Sequence, residues 1–235
     1  MTQDAREDTR EVVVFSLFDI AAPHRAWGWW QFVIGRRRLR RVPGLRFGKL
    51  LGSGQAGGFG LKPSASIQGL FAVFDDAASA DAFCGPAGLV QQWRMRAREH
   101  VCLRLRTCSA RGSWDGTRLA VTTPTPAEGP VVSLTRASIH PARAAGFWRM
   151  EPAAERSLAQ TTGCRLAVGV GEAPLLRQAT FTLWESVEAM NAYARQGAHL
   201  AAIRAAAAHG FFTESMFVRF VPVQREGSWQ GRPLA

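Results

Sequence analysis

The pentapeptides GSWDG, residues 112–116, and GSWQG, residues 227–231, stand 115 positions apart in a chain of 235 residues. A tag repeated at that distance marks an internal duplication when the elements ahead of each copy recur in the same order, and here they do. Ahead of the first copy, hydrophobic periodicity predicts a strand over EVVVFSLFDI, a helix over RAWGWWQFVIGRRRLRRV, and strands over LRFGKLLGSG and SIQGLFAVFDD. A helix over ASADAFCGPAGLVQQWRMRARE and a strand over HVCLRLRTCSA complete that half. Ahead of the second copy come strand PVVSLTRASI, helix ARAAGFWRMEPAAERSLAQ, strands CRLAVGVG and RQATFTLW, helix SVEAMNAYARQGAHLAAIRAAAAH and strand ESMFVRFVPV. The glycines agree as well: LLGSG aligns with AVGVG, Gly52 opposite Gly169 and Gly54 opposite Gly171.

Each half therefore reads βαββαβ, the ferredoxin-like arrangement in which two helices cover one face of a four-stranded antiparallel sheet. The expected architecture is α+β, with tandem duplicated ferredoxin-like halves packing face to face as an α/β barrel around a central cavity. The first half spans 11–116, a linker spans 117–129 with the Thr- and Pro-rich run TTPTPAEG at 122–129, and the second half spans 130–231.

Composition narrows the function. At 47% hydrophobic and 20% charged, the chain has the make-up of a folded globular protein. No window approaches 18 uninterrupted apolar residues and the start, MTQDAREDTREVVV, is polar, so a cytoplasmic protein is expected. Cys84, Cys102, Cys108 and Cys164 form no CxxC pair and no histidine stands at zinc-ligand spacing, which suggests reduced thiols and no zinc site. The net charge of +11 raises nucleic acid as a partner, but Lys49 and Lys62 are the only lysines, an arginine bias that fits a GC-rich genome. With no recognition motif of the common RNA or DNA modules, nucleic-acid binding is not expected.

The stretch ARQGAHLAAIRAAAAHGFF, residues 194–212, holds an unusual imidazole. At 3.6 residues per turn His199 shares a stripe with Ala202, Ile203 and Ala206, while Arg195 and Arg204 fall away. Two readings are open: a core histidine bonded to backbone or water, or an axial metal ligand beside alanines small enough to admit a flat cofactor. The duplication adds that aligning Phe83 with Tyr193 sets Leu89 opposite His199, so the fold itself does not require the imidazole.

Several separate blocks then point one way. RFGKLLGSG in the first half, with FWR, VGVGEAP, ATFTLWES, YARQGAHLAAIR and ESMFVRF in the second, together resemble the spheroidene monooxygenase family, acyclic carotenoid 2-ketolases of purple bacteria, from about residue 12 to 230. The resemblance implies an enzyme that binds haem b iron, uses O₂ and oxidises C-2 of an acyclic carotenoid to an alcohol and then a ketone. It implies electrons from an external donor such as a ferredoxin, since the sequence carries no flavin or nicotinamide motif. It also makes His199 the candidate iron ligand. His24, His100 and His140 flank elements, and His209 sits where it would cap a helix C-terminus. Arg149 in GFWRM and Arg165 in GCRLAVGVG are candidates for haem propionate partners or a distal donor, because guanidinium holds carboxylate in a fixed fork; the plain alternative is a solvated arginine. Alternatives of other classes are the same haem barrel acting on another small substrate, by nitrogen oxidation or dehydration, and a haem- or isoprenoid-binding protein without turnover.

No catalytic acid–base pair presents itself. The glycines of LGSGQAGGFG and VGVGEAP are read as tight turns, because each leads into another strand where a phosphate loop would lead into a helix. No GxSxG elbow supports a hydrolase. Lys49 is a cavity or structural residue, and Asp75, Asp76 and Glu185 are helix-start residues. RAWGWWQFVIGRRRLRR supports two readings, a core-packed helix with a solvated basic end, or an interfacial segment that sets Trp27, Trp29 and Trp30 at an acyl boundary and Arg36, Arg37, Arg38, Arg40 and Arg41 on anionic headgroups. The second would make the protein peripheral to the inner membrane. A homodimer is compatible with the sequence.

Overall fold

The computed structural model describes residues 10–58, 60, 62–149, 158, 161–173, 175–195 and 210–234. In the first half the elements run β1 (Val12–Ile20), α1 (Arg25–Leu39), β2 (Leu45–Gly54), β3 (Pro63–Phe74), α2 (Ala77–Cys84), α3 (Leu89–Arg94) and β4 (Ala97–Gly112). The second half runs β5 (Val131–Ile139), α4 (described over 144–149), β6 (Cys164–Ala173), β7 (Arg177–Trp184), α5 (Val187–Ala194) and β8 (Phe212–Trp229), with a short β9 (Arg232–Pro233) after it. Strands order as β4-β1-β3-β2 in one half and β6-β7-β5-β8 in the other, the same ferredoxin-like order read from opposite ends. The chain is α+β and built of two such halves, as expected.

The duplication extends to fine detail. β1 pairs with β3 from Val12↔Phe74 and β5 with β7 from Val131↔Trp184, both antiparallel. β1 meets β4 with a register shift between Asp19 and Ile20, and β5 meets β8 with one between Ser138 and Ile139. Asp76 caps α2 by accepting from the Ser79 amide at 2.6 Å, and Ser186 caps α5 by accepting from the Ala189 amide at 3.2 Å. Asp76 thus has the predicted helix-start role, whereas Asp75 and Glu185 each lie one residue ahead of the cap, Glu185 bonding Arg165.

Two compact units form, and they do not follow the repeat boundary. One draws its described residues from Met1–Gly52, Ala65–Thr107 and Pro222–Ala235, the other from Ser53–Ser64 and Cys108–Val221. β4 therefore enters the second unit after Thr107, and β8 enters the first at Pro222, a residue with no amide hydrogen to give a ladder. Both strands run on to the tags: β8 ends at Trp229, well past the Val223 that periodicity predicts, and β4 ends at Gly112, just past the predicted Ala110. Gly112 (φ +83°) and Gly227 (φ +91°) show why the tags begin with glycine. A Cβ at Gly112 would overlap the Ser215 carbonyl oxygen, and one at Gly227 would overlap that of His100.

One predicted helix is two. ASADAFCGPAGLVQQWRMRARE breaks after Cys84, because Pro86 disfavours helical φ/ψ in the residue before it and a Cβ at Gly88 would overlap the Phe83 carbonyl. α3 then buries Leu89, Val90 and Trp93. In this unit's core Trp93 packs on Trp27 at 5.1 Å and Phe18 at 6.2 Å, together with Val12, Val14, Ile20, Leu70, Ala72 and Phe74. Each such side chain, fully buried, contributes on the order of 1.5–3 kcal/mol. In the other unit Val131, Leu158, Trp184 and Met190 form the corresponding cluster, with Tyr193 on Trp184 at 5.3 Å. The strand faces opposite these clusters are buried too: Val13, Phe15 and Leu17 in β1, and Val132, Leu134 and Arg136 in β5.

Candidate functional site

Arg136 is the anomaly of β5. Its side chain is 1% exposed, between neighbours that alternate as a strand should. β1 and β5 are equivalent strands, Val13 pairing with Leu105 as Val132 pairs with Phe220, so position 136 answers to position 17, where the first half carries a buried leucine. A guanidinium cannot be protected from water without partners, and three acids supply them. Glu214 on β8 accepts from Arg136 Nη1 at 2.5 Å, while Glu172 at the end of β6 and Asp115 in the first tag each lie 3.5 Å from Nη2. The guanidinium carbon is 5.4 Å from the Trp114 ring centre, and Trp114 donates its indole N–H to Glu172 at 2.6 Å. Arg177 reaches Glu172 at 3.8 Å and Asp115 at 4.0 Å.

Glu214 is the keystone of this cluster. Burial by itself would raise its pKa, but the Gly116 amide, the Ser113 hydroxyl, the Asp115 amide and Arg136 all donate to the carboxylate and hold it at about 2. The first unit contains the same motif: Glu99 accepts from the Ser228 hydroxyl and the Gln230 and Gly231 amides, which also lower its pKa against burial. Each tag is thus pinned by a glutamate of the other half. What the first unit lacks is the buried charge. Leu17 replaces Arg136, and the Trp229 indole nitrogen is buried without a hydrogen-bond partner among the described residues.

Chemically this arrangement positions: Arg136 is committed to carboxylates. Glu214 stays ionised far below neutrality, so it is no proton carrier at pH 7. Sequence reading missed Arg136, although the comparison that separated His199 from Leu89 would have found it as Arg136 against Leu17.

The residues singled out from the sequence fall as follows. His199 and His209 lie outside the described residues. Arg149 is exposed on α4 and donates Nε to the Ala145 carbonyl at 3.3 Å. Arg165 is exposed at the start of β6 and donates Nε to Glu185 at 3.1 Å. These two do not contact one another. His24 and His140 are exposed at the turns that lead into helices. His100 is half-buried on β4, where burial, reinforced by the Arg94 charge, holds its pKa below the usual range. Lys49 places its ammonium 5.2 Å from the Phe47 ring centre. Among the described residues no three His, Cys, Asp or Glu side chains form a metal-binding group, and no helix is long and apolar enough to cross a membrane.

The fold defines a class first. The chain shares the fold of the solved structure of aldoxime dehydratase OxdRE in complex with butyraldoxime, with a TM-score of 0.58 at 11% identity, covering 94% of this chain and 83% of that one. No protein-family profile matches. Relatives matched over most of this chain give the particular family: the chain is 55% identical to the spheroidene monooxygenase of Rubrivivax gelatinosus, over 94% of this chain and 86% of the relative. It is 40% identical to that of Rhodobacter capsulatus over 87% of each chain, and 31% identical to that of Cereibacter sphaeroides over 88% of this chain and 65% of the relative. This chain belongs to the spheroidene monooxygenase family.

Proposed function

We propose that this protein is a haem-dependent monooxygenase that oxidises an acyclic carotenoid with O₂, His199 being the iron ligand. The observation that carries the reading is the relationship to the Rubrivivax gelatinosus spheroidene monooxygenase over nearly the whole chain. The name of that relative supports a carotenoid as the substrate class and monooxygenation as the reaction type. His199 is chosen because it lies in the matching block YARQGAHLAAIR at a spacing that shares a stripe with Ala202, Ile203 and Ala206, and because its counterpart in the duplication is Leu89, so the fold itself does not require an imidazole there.

The described arginines fit the edge of such a group. A propionate carboxylate pairs with a guanidinium fork, and Arg149 and Arg165 are both exposed. An exposed ion pair such as Arg165–Glu185 contributes about 0–1 kcal/mol, so its guanidinium exchanges partners at little cost. Haem, when bound, supplies the O₂ activation that no described side chain offers, with electrons from an external donor such as a ferredoxin. The part of the polypeptide is binding, orientation and water exclusion. The Arg136 cluster fixes β5, β6 and β8 against one another on the half that carries His199.

Reconstitution with haem tests this. The parent should acquire a Soret band and, given a reductant and O₂, oxidise spheroidene-like carotenoids. His199→Ala should lose the band with an unchanged far-UV circular dichroism spectrum, and His209→Ala should keep it. Equal haem retention in both variants would remove His199 from the role.

A further inference from the structure

Helix α1 is turned inside out relative to an ordinary surface helix. The residues it buries are Gly28, Gln31, Gly35 and Leu39, at spacings of three to four that form one stripe. A Cβ at Gly28 would fall 2.6 Å from the Gln68 amide nitrogen and one at Gly35 2.9 Å from a Leu50 methyl, so glycine is what lets the helix lie this close to the sheet. Two interior glycines cost about 1 kcal/mol each relative to alanine, a cost tertiary contact must offset. Trp27 does enter the core, capped by the Arg96 guanidinium 4.5 Å from its ring. The large apolar residues that follow point the other way: Trp29 is 50% exposed, Trp30 56% and Val33 69%. Together with Ala26 they occupy the outer stripe, which Arg37 and Arg40 continue toward the C-terminus with Arg36 at its margin.

Charge tells which partner suits this face. Arg36, Arg37, Arg40 and Arg41 are exposed, whereas Arg38 is turned back to Gln31 at 2.9 Å and Gln92 at 2.5 Å and takes no part. From Ala21 to Phe74 the chain holds nine Lys and Arg residues and not one Asp or Glu. A protein partner of mixed charge has nothing specific to match there. A surface that is apolar at one depth and uniformly anionic just above it matches both features.

We infer that the outer face of α1 is a docking surface for an anionic lipid bilayer, Trp29, Trp30 and Val33 entering the interface and Arg36, Arg37, Arg40 and Arg41 meeting headgroup phosphates. The inference stands on α1 and does not depend on the haem or the carotenoid.

Vesicle co-sedimentation of the full chain tests it, with phosphatidylcholine vesicles made with and without phosphatidylglycerol. The parent should bind the anionic vesicles at low salt and be released as salt rises, since screening acts within about 10 Å at 0.1 M. Each Arg→Gln change at 36, 37, 40 or 41 should weaken low-salt partitioning by about five-fold, and Arg38→Gln should leave it unchanged. Trp29→Ser with Trp30→Ser should weaken binding by about ten-fold or more at every salt concentration, because buried area and not charge is lost. Both tryptophans are half-exposed, so the double variant keeps its fold, checked by circular dichroism. The inference is overturned if the parent ignores anionic vesicles, if the double variant binds as the parent does, or if that variant only changes the sedimentation mass of the free protein, which would give the face to a second copy of the chain.

Discussion

Replacing Glu214 by glutamine keeps the shape of the side chain and removes its charge, and the structure fixes how the effect should vary with pH. The carboxyl sits at about 2 in the fold against its ordinary 4.5. Because its pKa is lowered on folding, Glu214 adds stability above its unfolded pKa and loses it as pH falls toward 2. The full contribution is about 3 kcal/mol at neutral pH, of which linkage removes about 2 kcal/mol by pH 3. Glu214→Gln has no such term. It also leaves Arg136 short of a full counter-charge at every pH, a separate penalty that does not titrate with this group. The variant should therefore be the less stable protein at pH 7, and the gap to the parent should shrink by about 2 kcal/mol between pH 7 and pH 3. Urea denaturation followed by tryptophan fluorescence at the two pH values measures the gap. A gap that stays constant would show that the four donors to Glu214 do not select its ionised form, and the account of the tag would fail.

Gly112→Ala and Gly227→Ala should each destabilise by about 1–3 kcal/mol, because both positions combine positive φ with a carbonyl oxygen where the new methyl would sit; thermal melts check this, and Gly116→Ala, with open space around its Cβ position but the same sign of φ, should cost less. Arg136→Leu restores the residue of the first half yet strands the acids around it, so a loss of about 3–5 kcal/mol is expected, relieved in part by adding Glu172→Gln. A double-mutant cycle in which the two changes simply add would deny the coupling.

Much of the fold is legible in the sequence because repetition and period are local signals. The βαββαβ order of each half and the Asp76 cap follow from alternation, helical spacing and turn residues. The paired tags even announce that the halves are alike. What periodicity cannot show is where a repeated segment is used. β4 and β8 look like strands that stop before the tags, and tertiary structure carries each through to a glutamate of the other half, Glu214 for Ser113 and Glu99 for Ser228. Those pairings span 101 and 129 residues and leave no mark on either segment alone. Trp27, Trp29 and Trp30 are one composition in the sequence, and only the approach of Gly28 and Gly35 to the sheet decides that the first is core and the other two face outward. Arg136 looks like any other arginine until β6, β8 and the first tag close around it, because burial and charge pairing belong to the assembled fold. His199 is the reverse case, a residue its own sequence context and the duplication single out without the fold.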